Sequence, residues 1–258
     1  MVSANQLKFI TALQVKKFRQ KYQKFTVEGE KMLDEALEQN RIEIEAIFAL
    51  PDWIDRRQAQ LAQFEGAVHA VDERALRKMS ALVTPQSGLA LARIPAPSPD
   101  AGVVSGSCFY LDGLQDPGNV GTIWRIADWF GMPALYCSPD CADPYAPKTV
   151  QASMGAVFRV PAIEISAPEL LSANPGIPLW GADMEGLDFF SISEWPVPSL
   201  LAIGNEGRGL SAGVRALLSG KVCIPRSPTG GAESLNAAVA AGIFAAFIMQ
   251  KTVHSPQK

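Results

Sequence analysis

The chain has 258 residues, 48% hydrophobic and 19% charged, with a formal net charge of −3. That length suits two domains or one large α/β domain, and the composition excludes disorder outside the ends. A net charge this small and negative announces no nucleic-acid binder through global electrostatics.

The charge is unevenly placed. Residues 1–95 hold 14 Lys/Arg and 12 Asp/Glu, a balance of +2, and residues 96–258 hold 9 and 14, a balance of −5. Lys8, Lys16, Lys17, Arg19, Lys21 and Lys24 all precede the first acid, Glu28. Such a run reads either as a phosphate-facing patch or as a solvated N-terminal helix. Next, Phe25 to Gly29 reads as a short strand ending at a glycine. Met32, Leu33, Ala36 and Leu37 give helical spacing over 30–39. A strand is expected over 42–50, a helix over 56–64 and a strand over 67–71. Asp72 is a candidate N-cap for a helix over 73–80, and a last strand follows over 89–93. These elements make a small α/β sandwich without a catalytic cluster. The alternating prolines of residues 94–102 then form an extended linker, so the chain divides into 1–93, a linker over 94–106, a domain over 107–250 and a tail over 251–258.

The second part alternates more regularly. Strands are expected over 108–111, 134–137, 179–182, 200–203 and 222–224. Helices are expected over 120–130, from Ser211 to about Leu218, and from Ser234 to Met249. Continuous apolar strands alternating with helices predict a mostly parallel sheet covered on both faces. Residues 237–249 are apolar but reach only about two-thirds of the ~20 residues a membrane span needs. No signal peptide opens the chain, and a cytoplasmic protein is expected. Cys137 and Cys141 have a C-x3-C spacing, but no second pair or nearby His completes a zinc site. Cys108, Cys137 and Cys223 sit in apolar runs and are expected as buried free thiols.

Several chemistries lack their residues. With only His69 and His254, a Ser-His-Asp triad or Cys-His pair has almost no raw material. The phosphate-loop signature Gly-x4-Gly-Lys-Ser/Thr is absent, as is Gly-x-Gly-x-x-Gly after the first strand of the second part. That argues against a nucleotidase and a nicotinamide oxidoreductase. A reaction needing little acid–base power points to a reactive cofactor.

Three segments follow strands of the second part, where open α/β sheets place ligands. They are LDGLQDPGNVGTIWRIAD (111–128), IGNEGRGL (203–210), and Ile224-Pro225 followed by ESLNAAVA (233–240). In this order they resemble motifs 1, 2 and 3 of the SpoU (TrmH-type) RNA 2′-O-ribose methyltransferases, over about residues 107–250. FTVEG (25–29) before a helix, with TPQSG (84–88), resembles the L30e-like RNA-binding domain that often precedes them. The resemblance implies S-adenosylmethionine as cofactor and the ribose 2′-hydroxyl of a structured RNA as acceptor, ribosomal before transfer RNA. It also implies a C-terminal trefoil knot, a homodimer, and no metal or membrane.

The resemblance further implies that Ile203, Gly204, Asn205, Gly207, Ile224, Pro225 and Leu235 hold the cofactor. Asn119, Arg125, Glu206, Ser234 and Asn236 would form the catalytic set, and Lys16, Lys17, Arg19, Lys21 and Lys24 would meet RNA. Each residue has a plainer reading. Gly204, Gly207 and Gly209 also suit a tight strand-to-helix turn. Arg125 also suits a structural pair with Asp128 or Glu206, and Glu206 a surface helix cap. Ser234 suits an N-cap, whereas Asn236, expected inside an apolar helix, demands a polar partner. The small residues of 237–249 suit packing against the sheet or a second subunit. Two departures stand out. Trp124 replaces a smaller aliphatic residue and either alters the site or fills the core, and Gln151 replaces a common Arg. The rival reading is a non-catalytic RNA-binding protein on the same fold.

Overall fold

The computed structural model describes residues 2–39, 41–96 and 102–253. Residues 97–101 of the expected linker, and residues 254–258 of the expected tail with His254, lie outside the described residues. The chain divides into two compact units, Met1–Ala96 with Asp143–Phe158, and Pro97–Ala142 with Arg159–Lys258. One stretch of residues 107–250 therefore belongs by its packing to the first unit.

The first unit opens with a helix that the hydrophobic pattern left unmarked, α1 (Ala4–Ala12). Its N-terminus is a capping box, in which Ser3 accepts from the Gln6 N–H and Gln6 reaches back to Ser3. The basic stretch forms α2 (Lys16–Tyr22), which ends as Gln23 turns left-handed at φ 52°. Then follow β1 (Lys24–Glu28), α3 (Glu30–Glu38) and β2 (Ile44–Ala49). In place of one helix over 56–64 come two short ones, α4 (Pro51–Arg56), started by a proline in its first turn, and α5 (Gln58–Leu61). β3 (Ala67–Ala70), α6 (Glu73–Met79) and β4 (Gly88–Arg93) complete the unit's N-terminal part, and Asp72 caps α6 by accepting from the Ala75 N–H. The sheet order is β1-β4-β2-β3, with β4 antiparallel to β1 and β2, and β2 parallel to β3. Ile10 and Leu13 from α1 and its C-terminal end, with Leu76 and Met79 of α6, pack on Ala46, Phe48, Leu89 and Leu91 from one sheet face.

Two cations expected at RNA are otherwise engaged. Arg19 is 3% exposed. Its Nε and Nη2 donate to Asp143 Oδ2 at 2.9 and 2.6 Å, and Nη1 donates to the Leu13 carbonyl at 2.7 Å. Lys24 pairs with Glu45 and lies over the Phe9 ring. The expectation that Arg19 faces phosphate is corrected, because its guanidinium is spent on internal acceptors. Lys17 and Lys21 are exposed and Lys16 is half-buried.

The second unit begins with β5 (Ser107–Asp112), α7 (Pro117–Trp129) and β6 (Leu135–Cys137). The chain next makes α8 (Pro147–Ser153), inside the stretch that packs with the first unit, and Gln151 lies on it. It returns with β7 (Ala162–Glu164) and α9 (Ala167–Ala173), the latter capped by a Ser166/Glu169 box. β8 (Leu179–Asp188), β9 (Ser199–Gly204), α10 (Ala212–Arg215), β10 (Gly220–Cys223) and α11 (Ala237–Val253) follow. Six strands run in the order β10-β8-β9-β5-β6-β7, and every pairing is parallel. Tyr110, Tyr136, Leu179, Leu200 and Ala202 share one core with Leu170 of α9 and Val214 of α10.

Cys108 and Cys137 are buried and Cys223 is half-buried; burial pushes the Cys108 thiol up to about 12. α11 packs along α7 through buried residues that include Ala241 and Ala245, while Val239 and Met249 on it are exposed. No helix among the described residues is long and apolar enough to cross a membrane.

Removing one partner of a buried ion pair strands the other charge. Arg19→Ala is expected to cost about 3–5 kcal/mol, read from urea unfolding. A loss below about 1 kcal/mol, the scale of an exposed pair, would contradict the assignment.

Candidate active site

The carboxyl end of the parallel sheet is organised around the last two residues of β5 and the turn after them. Asp112 is 5% exposed. Its Oδ2 accepts from the Ser211 N–H at 2.6 Å and its Oδ1 from Ser211 Oγ at 3.2 Å. Next to it, the Gly113 carbonyl accepts from Asn205 Nδ2 at 3.0 Å. The exit of β5 therefore holds both ends of the loop from Asn205 to Ser211.

Within that loop, Asn205 and Gly209 exchange backbone hydrogen bonds of 3.1 and 2.8 Å. Asn205 Oδ1 accepts from the N–H groups of Gly207 and Arg208 at 3.0 and 3.2 Å. Gly204 must be glycine here, since a Cβ would lie 2.4 Å from the carbonyl carbon of Gly209. Gly209 sits at φ +66°, which a side chain disfavours.

A cavity of about 680 Å³ opens beside this loop, walled by the middle of β8, the ends of β9 and β10 and the first turns of α11. Ile203, Gly204, Asn205, Ile224, Pro225 and Leu235 line it, as do Glu206 and Ser234. Gly207 is not among the lining residues; its N–H is turned to Asn205 inside the loop. The sequence reading missed Asp183, Met184 and Phe244, which also line the cavity. Asp183 and Met184 were hidden because β8 runs six residues beyond its expected end at Ala182. Burial alone would raise the Asp183 pKa. The Glu185 N–H, the Lys221 ammonium at 3.1 Å and Arg215 outweigh that and hold it below the usual carboxylate range. The wall therefore carries an ionised carboxylate at neutral pH.

Three side chains from the three motifs meet at the cavity's edge. Asn119 Nδ2 donates to Glu206 Oε1, and Asn236 Nδ2 donates to Asn119 Oδ1 at 3.0 Å. Asn236 Oδ1 in turn accepts from the N–H groups of Ala238 and Val239 at 2.9 and 3.2 Å. Four expectations change here. The last helix starts at Ala237, so Asn236 is its cap rather than an interior residue, and Ser234 lies before it in the loop. Asn119 sits inside the first turn of α7, because Asp116 caps that helix by accepting from the Asn119 N–H and Pro117 begins it. Glu206 is a hydrogen-bond partner of Asn119 rather than a surface helix cap; Ser211 caps α10.

Arg125 is exposed on α7 and makes no hydrogen bond or ion pair among the described residues. Both structural partners considered for it are occupied. Asp128 pairs with Arg159 at 2.9 Å, and Glu206 holds Asn119. Trp124 faces the other way, fully buried, with Nε1 donating to the Val160 carbonyl at 2.8 Å. It fills the core. Arg125 does not line the cavity. Lys16, Lys17, Lys21 and Lys24 belong to the first unit, as does Arg19.

Residues 107–246 match the SpoU rRNA Methylase family, and residues 4–90 match the MRM3-like substrate binding domain. An uncharacterized tRNA/rRNA methyltransferase of Synechocystis is 31% identical, over 92% of this chain and 88% of its own. The 23S rRNA (guanosine(2553)-2'-O)-methyltransferase of Bacillus subtilis is 30% identical, over 90% of each. The crystal structure of the SpoU methyltransferase AviRb from Streptomyces viridochromogenes, in complex with AdoMet, superposes with a TM-score of 0.86 at 27% identity. It covers 98% of this chain and 100% of that one.

The two jobs of Asn236 separate by mutation. Asn236→Asp retains the cap of α11 and should leave stability within about 0.5 kcal/mol, whereas Asn236→Ala should cost about 1 kcal/mol. Equal urea-unfolding midpoints for the wild type and the alanine variant would refute the capping role.

Proposed function

Because the chain belongs to the SpoU rRNA methylase family, we infer that it transfers a methyl group from S-adenosylmethionine to a ribose 2′-hydroxyl of ribosomal RNA. The observation that carries this reading is the convergence at one cavity. Six of the seven residues expected at the cofactor line it, and Glu206, on its wall, bonds to Asn119, which bonds to Asn236.

The cavity suits the cofactor. Its volume lies within the about 300–1,000 Å³ usual for small-molecule sites. Ile203, Ile224 and Leu235 in the lining offer apolar cover for an adenine, and backbone groups of the lining residues Gly204, Ile224 and Leu235 grip it in this reading. The wall carries both signs, Asp183, Glu185, Glu206 and Glu233 with Arg208, Arg215 and Arg226, which suits a ligand that itself bears both a cation and a carboxylate. When bound, the cofactor supplies a methyl group already activated on a sulfonium.

The chain's own residues then have to deliver the hydroxyl. Arg125 is the free cation of the catalytic set, and its fork geometry suits an RNA phosphate. A guanidinium, cationic at neutral pH, is a poor base. Arg125 therefore orients the phosphate and ribose and lowers the hydroxyl pKa through its field, and the proton leaves to water. Asn119, with its amide held at both ends, and Asn236 fix the approach of the ribose at the mouth. Ser234 in the adjoining loop contributes a hydroxyl there. Alignment supplies much of the acceleration.

The wider assignments follow the same family reading. The first unit is an L30e-like RNA-binding domain, supported by its four-stranded mixed sheet between helices. The second carries a trefoil knot between β9 and α11, supported by the strand order and by the packing of α11 on α7 and β9. A homodimer is the working assembly, and the protein acts in the cytoplasm.

Arg125→Ala is expected to abolish tritiated methyl transfer to unmodified ribosomal RNA while calorimetric cofactor affinity stays within about threefold. Loss of both together would contradict this division of labour.

A further inference from the structure

Residues 1–27 contain no Asp or Glu, although the chain as a whole is acidic. In the structure this acid-free stretch joins a second source of cations. α1 packs beside α6, with Thr11 Oγ1 donating to the Lys78 carbonyl at 3.0 Å and Gln14 Nε2 to the Met79 carbonyl at 3.3 Å. α2 adjoins α1 through an edge-on contact of Phe9 and Tyr22, with ring centroids 5.0 Å apart.

The three helices expose Lys8, Lys17, Lys21, Arg74, Arg77 and Lys78, and none of these forms an ion pair among the described residues. Against them stand Asp72 and Glu73. The Asp72 carboxylate is already turned to the Ala75 N–H as the cap of α6. Arg74 and Lys78, one turn apart, border a hollow of about 230 Å³ whose apolar lining includes Val2, Leu7, Val71 and Ala75.

The opposite face of the same unit is mixed in sign. α3 carries Glu30, Asp34, Glu35 and Glu38 with Lys31, and Arg56 and Arg57 pair with Glu30 and Asp34 there. Its buried residues, Met32, Leu33 and Ala36, take no part in the core beneath α1 and α6. It packs instead on β1 and β4. Unpaired like charges repel one another, and a polyanion relieves that repulsion by trading its condensed counterions for them. We infer that the surface formed by α1, α2 and α6 is where the substrate RNA's phosphate backbone docks, with Arg74, Arg77 and Lys78 taking the places that Arg19 and Lys24 cannot. This rests on the RNA-directed reading above and locates the contact within the first unit.

The test measures binding of protein-free 23S ribosomal RNA by filter retention across a potassium chloride series. The variants are the triple R74Q/R77Q/K78Q, the double K8Q/K17Q and, from α3 on the opposite face, Lys31→Gln. Each lost phosphate contact should flatten the log–log salt slope by about 0.7–0.9. The triple variant should therefore flatten it by about 2 and weaken binding at least about tenfold near 0.1 M salt. The double variant should flatten it by a smaller amount and Lys31→Gln should not change it. Methyl transfer by the triple variant should show a raised KM for RNA with an unchanged kcat. Unchanged slopes in the triple and double variants, or an equal effect from Lys31→Gln, would overturn the proposal. The double variant carries the test if the triple does not fold. Binding is read without methylation, so an inactive wild type that still shows these slopes would count against the catalytic reading alone.

Discussion

Asn119 spends its amide on two partners far away in sequence. It donates to Glu206, 87 residues on, and accepts from Asn236, 117 residues on. A half-buried side chain loses rotamer freedom when held this way. The interaction earns its place by fixing the first turn of α7 against both the glycine loop and the cap of α11. It adds a side-chain link among three segments that Asp112, the Gly113 carbonyl and the packing of α11 on α7 already bring together, and it does so in the turn of α7 that precedes Arg125.

The loop beneath this contact is rigid for a different reason. Asp112 and the Gly113 carbonyl pin both of its ends, and Asn205 spends its side chain on internal turns. Gly204 is needed where backbone meets backbone, whereas a Cβ at Gly207 would meet only Asn205 Oδ1, at 3.7 Å. Of these two glycines, close approach requires the one at the cavity wall. Preorganisation of this kind lets a backbone grip a ligand without ordering a loop at the moment of binding.

Much of this was legible in the residues. Long apolar strands gave the parallel sheet, and the three segments gave most of the cavity wall. What failed was local or distant. α1 and α9 were missed although each opens with a capping box, Ser3/Gln6 and Ser166/Glu169, because the signal there is polar and the apolar stripe behind it is short. The start of α7 was placed too late because Asp116-Pro117 is a start signal that carries no hydrophobic periodicity. The fate of Arg19 was unreadable, since its partner Asp143 lies 124 residues away. Asp183 entered the wall only because β8 continues past its apolar portion into polar residues. Trp124 was the departure with two readings, and its hydrogen bond to Val160 places it in the core.

The claim on which the rest depends is that this one cavity receives the methyl donor. The most direct measurement is a crystal structure of the chain soaked with S-adenosylhomocysteine. The account predicts the adenine between Ile203 and Leu235, with backbone groups of Gly204, Ile224 and Leu235 within about 3.2 Å of its polar atoms. The homocysteine sulfur would then face the Asn119 side of the cavity. Ordered ligand at another place, or a saturated crystal with this cavity still filled only by water, would contradict it.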